Sequence, residues 1–146
     1  MSLALQKKLA VQREVERARM VISSVPGITS VTVVKESDIP PSLHDALHTL
    51  LQLEHQPFST LDESATSLEL AAWLGHGLEK LADRQEYFFT AGGTAWLRIQ
   101  VVPGSDWLFP LWQEFRDMFL FSPPDRTLLG LFEEEHRFEA HIAQWS

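Results

Sequence analysis

Aromatic residues are concentrated in the second half of this chain. Of its five Trp, nine Phe and one Tyr, all but Phe58 and Trp73 fall between Tyr87 and Trp145. Large rings bury more surface than other side chains, and they dominate both cores and interfaces. The second half must therefore supply either the hydrophobic centre of the fold or a surface made for a partner.

The first half of the chain predicts helices around one strand. The 146 residues match the usual size of a single globular domain. Apolar side chains spaced three and four apart predict an amphipathic N-terminal helix over residues 2–24, and a β-branched run predicts a strand over 28–35. Two more helices are predicted over residues 42–54 and from residue 60 or 64 to 81, with a loop at 56–61.

Residues 86–102 show the clearest local pattern, which is that of a β-hairpin. Strands are expected over residues 86–90 and 95–102, because Gly92 and Gly93 between them supply the positive φ angles of a two-residue turn. This glycine pair does not predict a phosphate-binding loop, since neither a helix nor a Gly-Lys-Ser/Thr sequence follows it.

The rest of the chain predicts a helix over residues 107–121 and a short strand over 127–132. The tail over 133–145 alternates like a strand, but its three leading glutamates favour the positive end of a helix dipole, and we expect a helix. The expected fold is α+β, with a mostly antiparallel sheet of three to four strands around a central 86–102 hairpin, packed with about five helices.

Charge is distributed unevenly along the chain. The net charge is −8, yet residues 1–24 carry five basic and two acidic side chains. The acidic remainder repels nucleic acid and favours a basic partner, although the same charge also serves solubility. The absence of Cys excludes disulfides and thiolate chemistry. We expect no membrane span, no signal peptide and a cytoplasmic location.

Histidines offer the only weak hints of chemistry. His44 and His48 lie one helical turn apart and can share a zinc ion, but no Glu follows His44, and solvated histidines on the polar face are the favoured explanation. His76 lies between two glycines and His136 follows three glutamates, and neither has a neighbouring nucleophile in sequence. We therefore expect no catalytic residue, no metal and no cofactor.

The aromatic and acidic residues together predict a surface for another protein. Rings are enriched at interfaces, and one small sheet has limited room to enclose them all. The residues expected to bind the partner are Trp96, Trp107, Trp112, Phe115, Phe119, Glu133, Glu134 and Glu135. The expected function is that of a non-enzymatic acidic protein-binding module, such as an inhibitor, an immunity-like protein or an accessory subunit. Its partner is a basic protein or a second copy of the chain in a homodimer.

Two alternatives remain open at the level of sequence. The first is a small-molecule-binding protein or small enzyme, with a pocket lined by aromatic rings and His76 or His136 as the base. The pocket would be lined by Trp96, Trp107, Trp112 and Phe115. The second alternative is a structural or regulatory dimer joined through the N-terminal helix.

Overall fold

Helices and strands alternate along the chain. The computed structural model describes residues 2–52, 54–81, 85–91, 95–123 and 125–145. Within them the chain forms four α-helices, seven strands and a short 3-10 helix at Glu36–Asp38. The helices are α1 (Leu3–Ser23), α2 (Leu43–Leu50), α3 (Ser67–Leu78) and α4 (Leu108–Glu114). The strands are β1 (Ile28–Val33), β2 (Ser59–Asp62), β3 (Glu86–Thr90), β4 (Leu97–Val101), β5 (Met118–Phe121), β6 (Thr127–Glu133) and β7 (Arg137–Gln144).

All seven strands join one sheet in the order β1-β4-β3-β5-β6-β7-β2. Every neighbouring pair is antiparallel. The two strands from the first half of the chain, β1 and β2, form the two edges. The predicted sheet of three to four strands with about five helices is therefore wrong, and the middle strand is β5 rather than the 86–102 hairpin.

The helix predicted over residues 107–121 is wrong beyond its first half. Helix α4 ends at Glu114, Phe115 is extended, and Met118–Phe121 continues as β5. Both faces of β5 are covered, so all four of its side chains are apolar. A short apolar run of this kind does not distinguish a buried strand from a buried helix by periodicity.

The tail is also a strand rather than a helix. β7 pairs with β6 on one side and with β2 on the other, and β2 occupies the segment predicted to be a loop. Cross-strand pairing on both sides outweighs the helix preference of the leading glutamates, which lie at the end of β6 and in the turn after it. The alternation of apolar and polar side chains in this segment was the correct signal.

The predicted hairpin strands are present, and β3 pairs with β4 in antiparallel register. Alternate residues of β4 are buried and exposed, as the expected two-faced strand requires. The Gly92-Gly93 turn lies outside the described residues.

Helices cover the two faces of the sheet unequally. One face packs against α1, α3 and α4 through a large core that includes Ile22, Leu74, Leu111 and Trp112. The other face packs against α2 alone, and we call it the α2 face. There, a smaller core joins Leu43, Ala46 and Leu50 of α2 to Phe88, Trp96, Phe121, Leu128 and Ala143 of the sheet.

Helix α1 is attached to the body by its second half only. Ile22 is fully buried, and Val15 and Ala18 are partly buried against the sheet. In residues 3–14 every side chain is exposed except that of Leu9, which is half-buried. Among the described residues, no helix is both long enough and apolar enough to cross a membrane.

Candidate functional site

Three of the five aromatic residues expected to bind a partner lie in the core. Trp96, Trp107 and Trp112 are 8%, 3% and 0% exposed. The Trp107 ring lies 5.2 Å from that of Tyr87, and Trp112 meets Phe138 edge-on at 6.0 Å. These tryptophans fill the space between sheet and helices, so they offer no surface to a partner or a small molecule.

The other two expected rings, Phe115 and Phe119, remain half-buried. Phe115 packs edge-on against Phe89 at 5.5 Å, on the face covered by α1, α3 and α4. Phe119 lies on the α2 face, where it meets the half-buried Phe132 at 5.4 Å. Phe132 directly precedes the three expected glutamates, so one aromatic pair does lie beside them.

Glu133, Glu134 and Glu135 are exposed at the turn between β6 and β7. Two other loops come to the same end of the sheet. The Glu133 amide donates to Asp117 Oδ1 at 3.0 Å, and the Glu63 amide donates to the carbonyl of His136 at 3.3 Å. We call this region the acidic end; its carboxylates are Asp62, Glu63, Asp117, Glu133, Glu134 and Glu135.

Among the described residues, few cations balance the acidic end. Arg116 approaches Glu133 at 3.8 Å, whereas Arg137 is bound to Glu139 at 2.7 Å. Hydrogen bonds from the side chain and the backbone amide of Ser64 lower the pKa of Asp62, which keeps its carboxylate charged. The acidic end therefore presents an excess of negative charge at neutral pH.

The histidines that drew attention in the sequence do not converge. His44 and His48 project from the exposed side of α2, and His76 is exposed on α3. His136 is exposed between Glu63 and Glu135, at 3.7 and 3.5 Å. Within the described ranges, no three His, Cys, Asp or Glu side chains form a cluster that could hold a metal.

A different pair of histidines does come together on the α2 face. His55 follows α2, His141 lies on β7, and their Nδ1 atoms are 2.8 Å apart. His141 Nε2 is 2.9 Å from Glu139 Oε1, and Arg137 Nε donates to Glu139 Oε2 at 2.8 Å. We call these four residues the histidine cluster.

Burial and charge organise the histidine cluster. The His141 and Glu139 side chains are 6% and 14% exposed. Burial raises the pKa of Glu139, but hydrogen bonds from His141 and Arg137 and the Arg137 charge bring that pKa below its ordinary value. Burial and then repulsion from His141 lower the pKa of His55, although a hydrogen bond to the Ile142 backbone opposes them. The cluster thus keeps Glu139 ionised and favours an uncharged His55.

The hydrogen-bond pattern constrains where protons lie. Ionised Glu139 only accepts, so His141 donates from Nε2. At 2.8 Å, one of the two Nδ1 atoms carries a hydrogen and the other accepts it. Because a neutral His141 already donates from Nε2, its Nδ1 accepts, and the shared hydrogen is carried by Nδ1 of His55.

A cleft of about 320 Å³ opens beside this pair. It is lined mainly by Leu50, Gln52, His55, Phe132, Glu134 and His141. The Phe132 ring stands 5.4 Å from that of His141 and forms one wall. The cleft therefore combines one apolar wall with imidazole and carboxylate groups.

Part of the histidine cluster can be recognised in the sequence once its tail is taken as a strand. Read as a strand, residues 137–144 place Arg137, Glu139 and His141 on one side, with two-residue spacing. His55 lies 86 residues before His141, so no local pattern could link them. The pairing of β2 with β7 brings the segment after α2 to this strand: the Phe58 amide bonds the carbonyl of Ala140 at 2.9 Å.

No protein-family model, curated protein or solved structure matches this chain. Its class is therefore defined by its own features. It is an α+β protein with a seven-stranded antiparallel sheet, an acidic end and a histidine cluster beside a cleft.

Proposed function

We propose that this chain is a non-enzymatic protein-binding module, an inhibitor, immunity-like protein or accessory subunit, that binds a partner of basic character at its acidic end. The single observation that carries the proposal is the meeting of three loops at one end of the sheet. They bring six carboxylates together against two arginines, one of which is already bound to Glu139. A cytoplasmic location belongs to the same proposal.

The acidic end also has an apolar neighbour on which a partner can anchor. Phe119 and Phe132 are half-buried and pack together just before Glu133. Interfaces commonly combine a few aromatic anchors with a charged rim, in which the rim guides encounter and the anchors supply affinity. The anchor in this proposal is the Phe119–Phe132 pair and not the buried tryptophans.

Charge reversal at the turn tests this proposal. The partner is recovered by crosslinking in the cells that make the protein, and its association rate is measured at two salt concentrations. Glu133→Lys, Glu134→Lys and Glu135→Lys together are expected to slow association by at least ~10-fold and to weaken its salt dependence. The matched control reverses three exposed charges outside the acidic end, at Glu36, Asp38 and Asp45. Equal rates for both variants would refute a role for the acidic end.

A second candidate function rests on the histidine cluster. A small molecule could bind in the cleft beside His55 and His141, with one imidazole as the base. The pocket expected from the sequence is not supported, because its three tryptophans are buried in the core. A thermal-shift screen separates the two functions, since a ligand that binds only the folded state raises the melting temperature, and His55→Gln is expected to abolish that shift.

A further inference from the structure

The partner-binding proposal makes no use of the histidine cluster. Its two Nδ1 atoms point at each other, 2.8 Å apart, at the wall of an open cleft. His141 is also held from outside, where its Nε2 donates to Glu139 Oε1 at 2.9 Å. Two facing imidazole nitrogens, one of them on an anchored ring, resemble metal sites, in which outer hydrogen bonds fix the orientation of the ligands.

We propose that His55 and His141 bind one divalent transition-metal ion, of the Zn²⁺ or Cu²⁺ type, between their Nδ1 atoms. The ion takes the place of the hydrogen that the two nitrogens share, and that hydrogen moves to Nε2 of His55, as a neutral imidazole bound through Nδ1 requires. Imidazole nitrogens suit these ions, whereas Mg²⁺ and Ca²⁺ require oxygen ligands. The proposal is independent of the partner-binding function, because the ion binds to the chain itself.

Metal binding requires the two nitrogens to separate and the rings, which face each other head-on, to tilt toward a point beside the line that joins them. Two nitrogens bound at ~2.0–2.1 Å to a tetrahedral zinc ion are about 3.3 Å apart, so the pair must open by roughly 0.5 Å. His141 is buried on β7 and backed by Glu139, so it is the fixed ligand. His55 is half-buried in the segment after α2, so it is the ligand that moves.

The remaining coordination positions face the cleft. No third His, Asp or Glu of the described chain is close enough to complete a three-ligand cluster, although Glu134 lines the same cleft. Water therefore fills the other positions. A metal with open positions can bind an exchangeable ligand, whereas structural zinc sites are closed by four protein ligands.

Calorimetric titration of the full chain with ZnCl₂ tests the proposal. One ion is expected per chain, and His55→Gln is expected to weaken binding by more than ~10-fold. Glu139→Gln, which touches no metal, is expected to weaken it ~10–100-fold because the outer partner of His141 becomes a neutral amide in place of a carboxylate. The matched control is the double variant His44→Gln/His48→Gln, which removes two exposed histidines and should bind zinc like the wild type.

Electron paramagnetic resonance with CuCl₂ gives a direct readout of the ligands. Two coordinated imidazole nitrogens are expected in the wild type and one in His55→Gln. Because His55 lies in a partly exposed segment, this variant is expected to fold, which circular dichroism verifies. Absence of zinc binding by the wild type, unchanged binding by His55→Gln, or loss of binding in His44→Gln/His48→Gln would each overturn the proposal.

Discussion

At Gly130 on β6, Leu50 of α2 and the Phe132 ring pack into the space that a side chain would occupy. A Cβ atom at this position would lie 2.8 Å from Cζ of Phe132 and 3.3 Å from Cδ1 of Leu50. No real Cβ tolerates the first distance, so either the phenyl ring or the helix has to shift. Because Gly130 has no side chain, both Leu50 of α2 and Phe132, which forms a wall of the cleft, can pack over β6 at this position.

We predict that Gly130→Ala destabilises the protein by about 1–3 kcal/mol, the usual cost of an overpacked core. The free energy of unfolding is measured by urea denaturation. Gly75→Ala is the control: it adds the same methyl group to an exposed helix position with nothing within 4 Å. That variant should be about 0.5–1 kcal/mol more stable than the wild type. Equal effects of both substitutions would contradict the close contact at Gly130.

The tryptophans show what a sequence can and cannot settle about single residues. Their concentration in the second half correctly marked the centre of the fold. Whether Trp107 and Trp112 faced a partner or a core depended on how much sheet was available to cover them. The expected sheet lacked β2, β5 and β7, so the area available to cover these rings was underestimated.

Helices with clear periodicity were predictable, whereas short strands were not. The amphipathic patterns that indicated α1 and α2 repeat over several turns, and the structure confirms both helices within a few residues. β2 and β5 are four residues long, too short to display an alternation. The run of three glutamates was visible in the sequence, but it was expected to begin a helix and not to form a turn, and its two partner loops were not predictable because only the tertiary fold brings Glu63 and Asp117 beside Glu133.

Helix α3 begins with a capping box formed by Thr66 and Glu69. The Glu69 amide donates to Thr66 Oγ1 at 3.1 Å, and the Thr66 amide donates to Glu69 Oε1 at 3.0 Å. We predict that Thr66→Ala lowers the free energy of unfolding by about 1 kcal/mol, while Thr66→Ser, which keeps the cap, changes it little. Chemical denaturation at pH 7 measures both.

The stability that this cap contributes is expected to fall at low pH. Hydrogen bonds from the Thr66 amide and hydroxyl lower the pKa of Glu69 below its ordinary value. The stabilisation is therefore complete above the ordinary glutamate pKa and is lost as the pH falls through the lowered one. The difference in stability between wild type and Glu69→Gln should shrink as denaturation is repeated from pH 7 down to pH 3. A constant difference would exclude the charged cap.

At the scale of the whole molecule, the second half of α1 packs against the sheet and its first half does not. Removal of residues 2–13 should change the free energy of unfolding by less than about 0.5 kcal/mol, because all these side chains except the half-buried Leu9 are exposed. Ile22→Ala, in the attached half, should cost about 2–5 kcal/mol of the free energy of unfolding.

Light scattering of the chain without residues 2–13 tests the homodimer, which stays a prediction. An unchanged dimer mass after truncation would show that α1 does not form the interface.

The edge strands determine when this fold can be completed. β1 reaches β4, and β2 reaches β7, across roughly 65–80 residues of chain, a separation that slows folding. β7 is synthesised after the six other strands, yet it supplies one side of β6 and, among the described residues, the only partner of β2. In the nascent chain, one edge of β6 and the whole of β2 therefore stay unpaired until β7 has emerged. Unpaired strand edges make folding intermediates prone to aggregation, so synthesis of this protein is expected to depend on holding chaperones until β7 has left the ribosome.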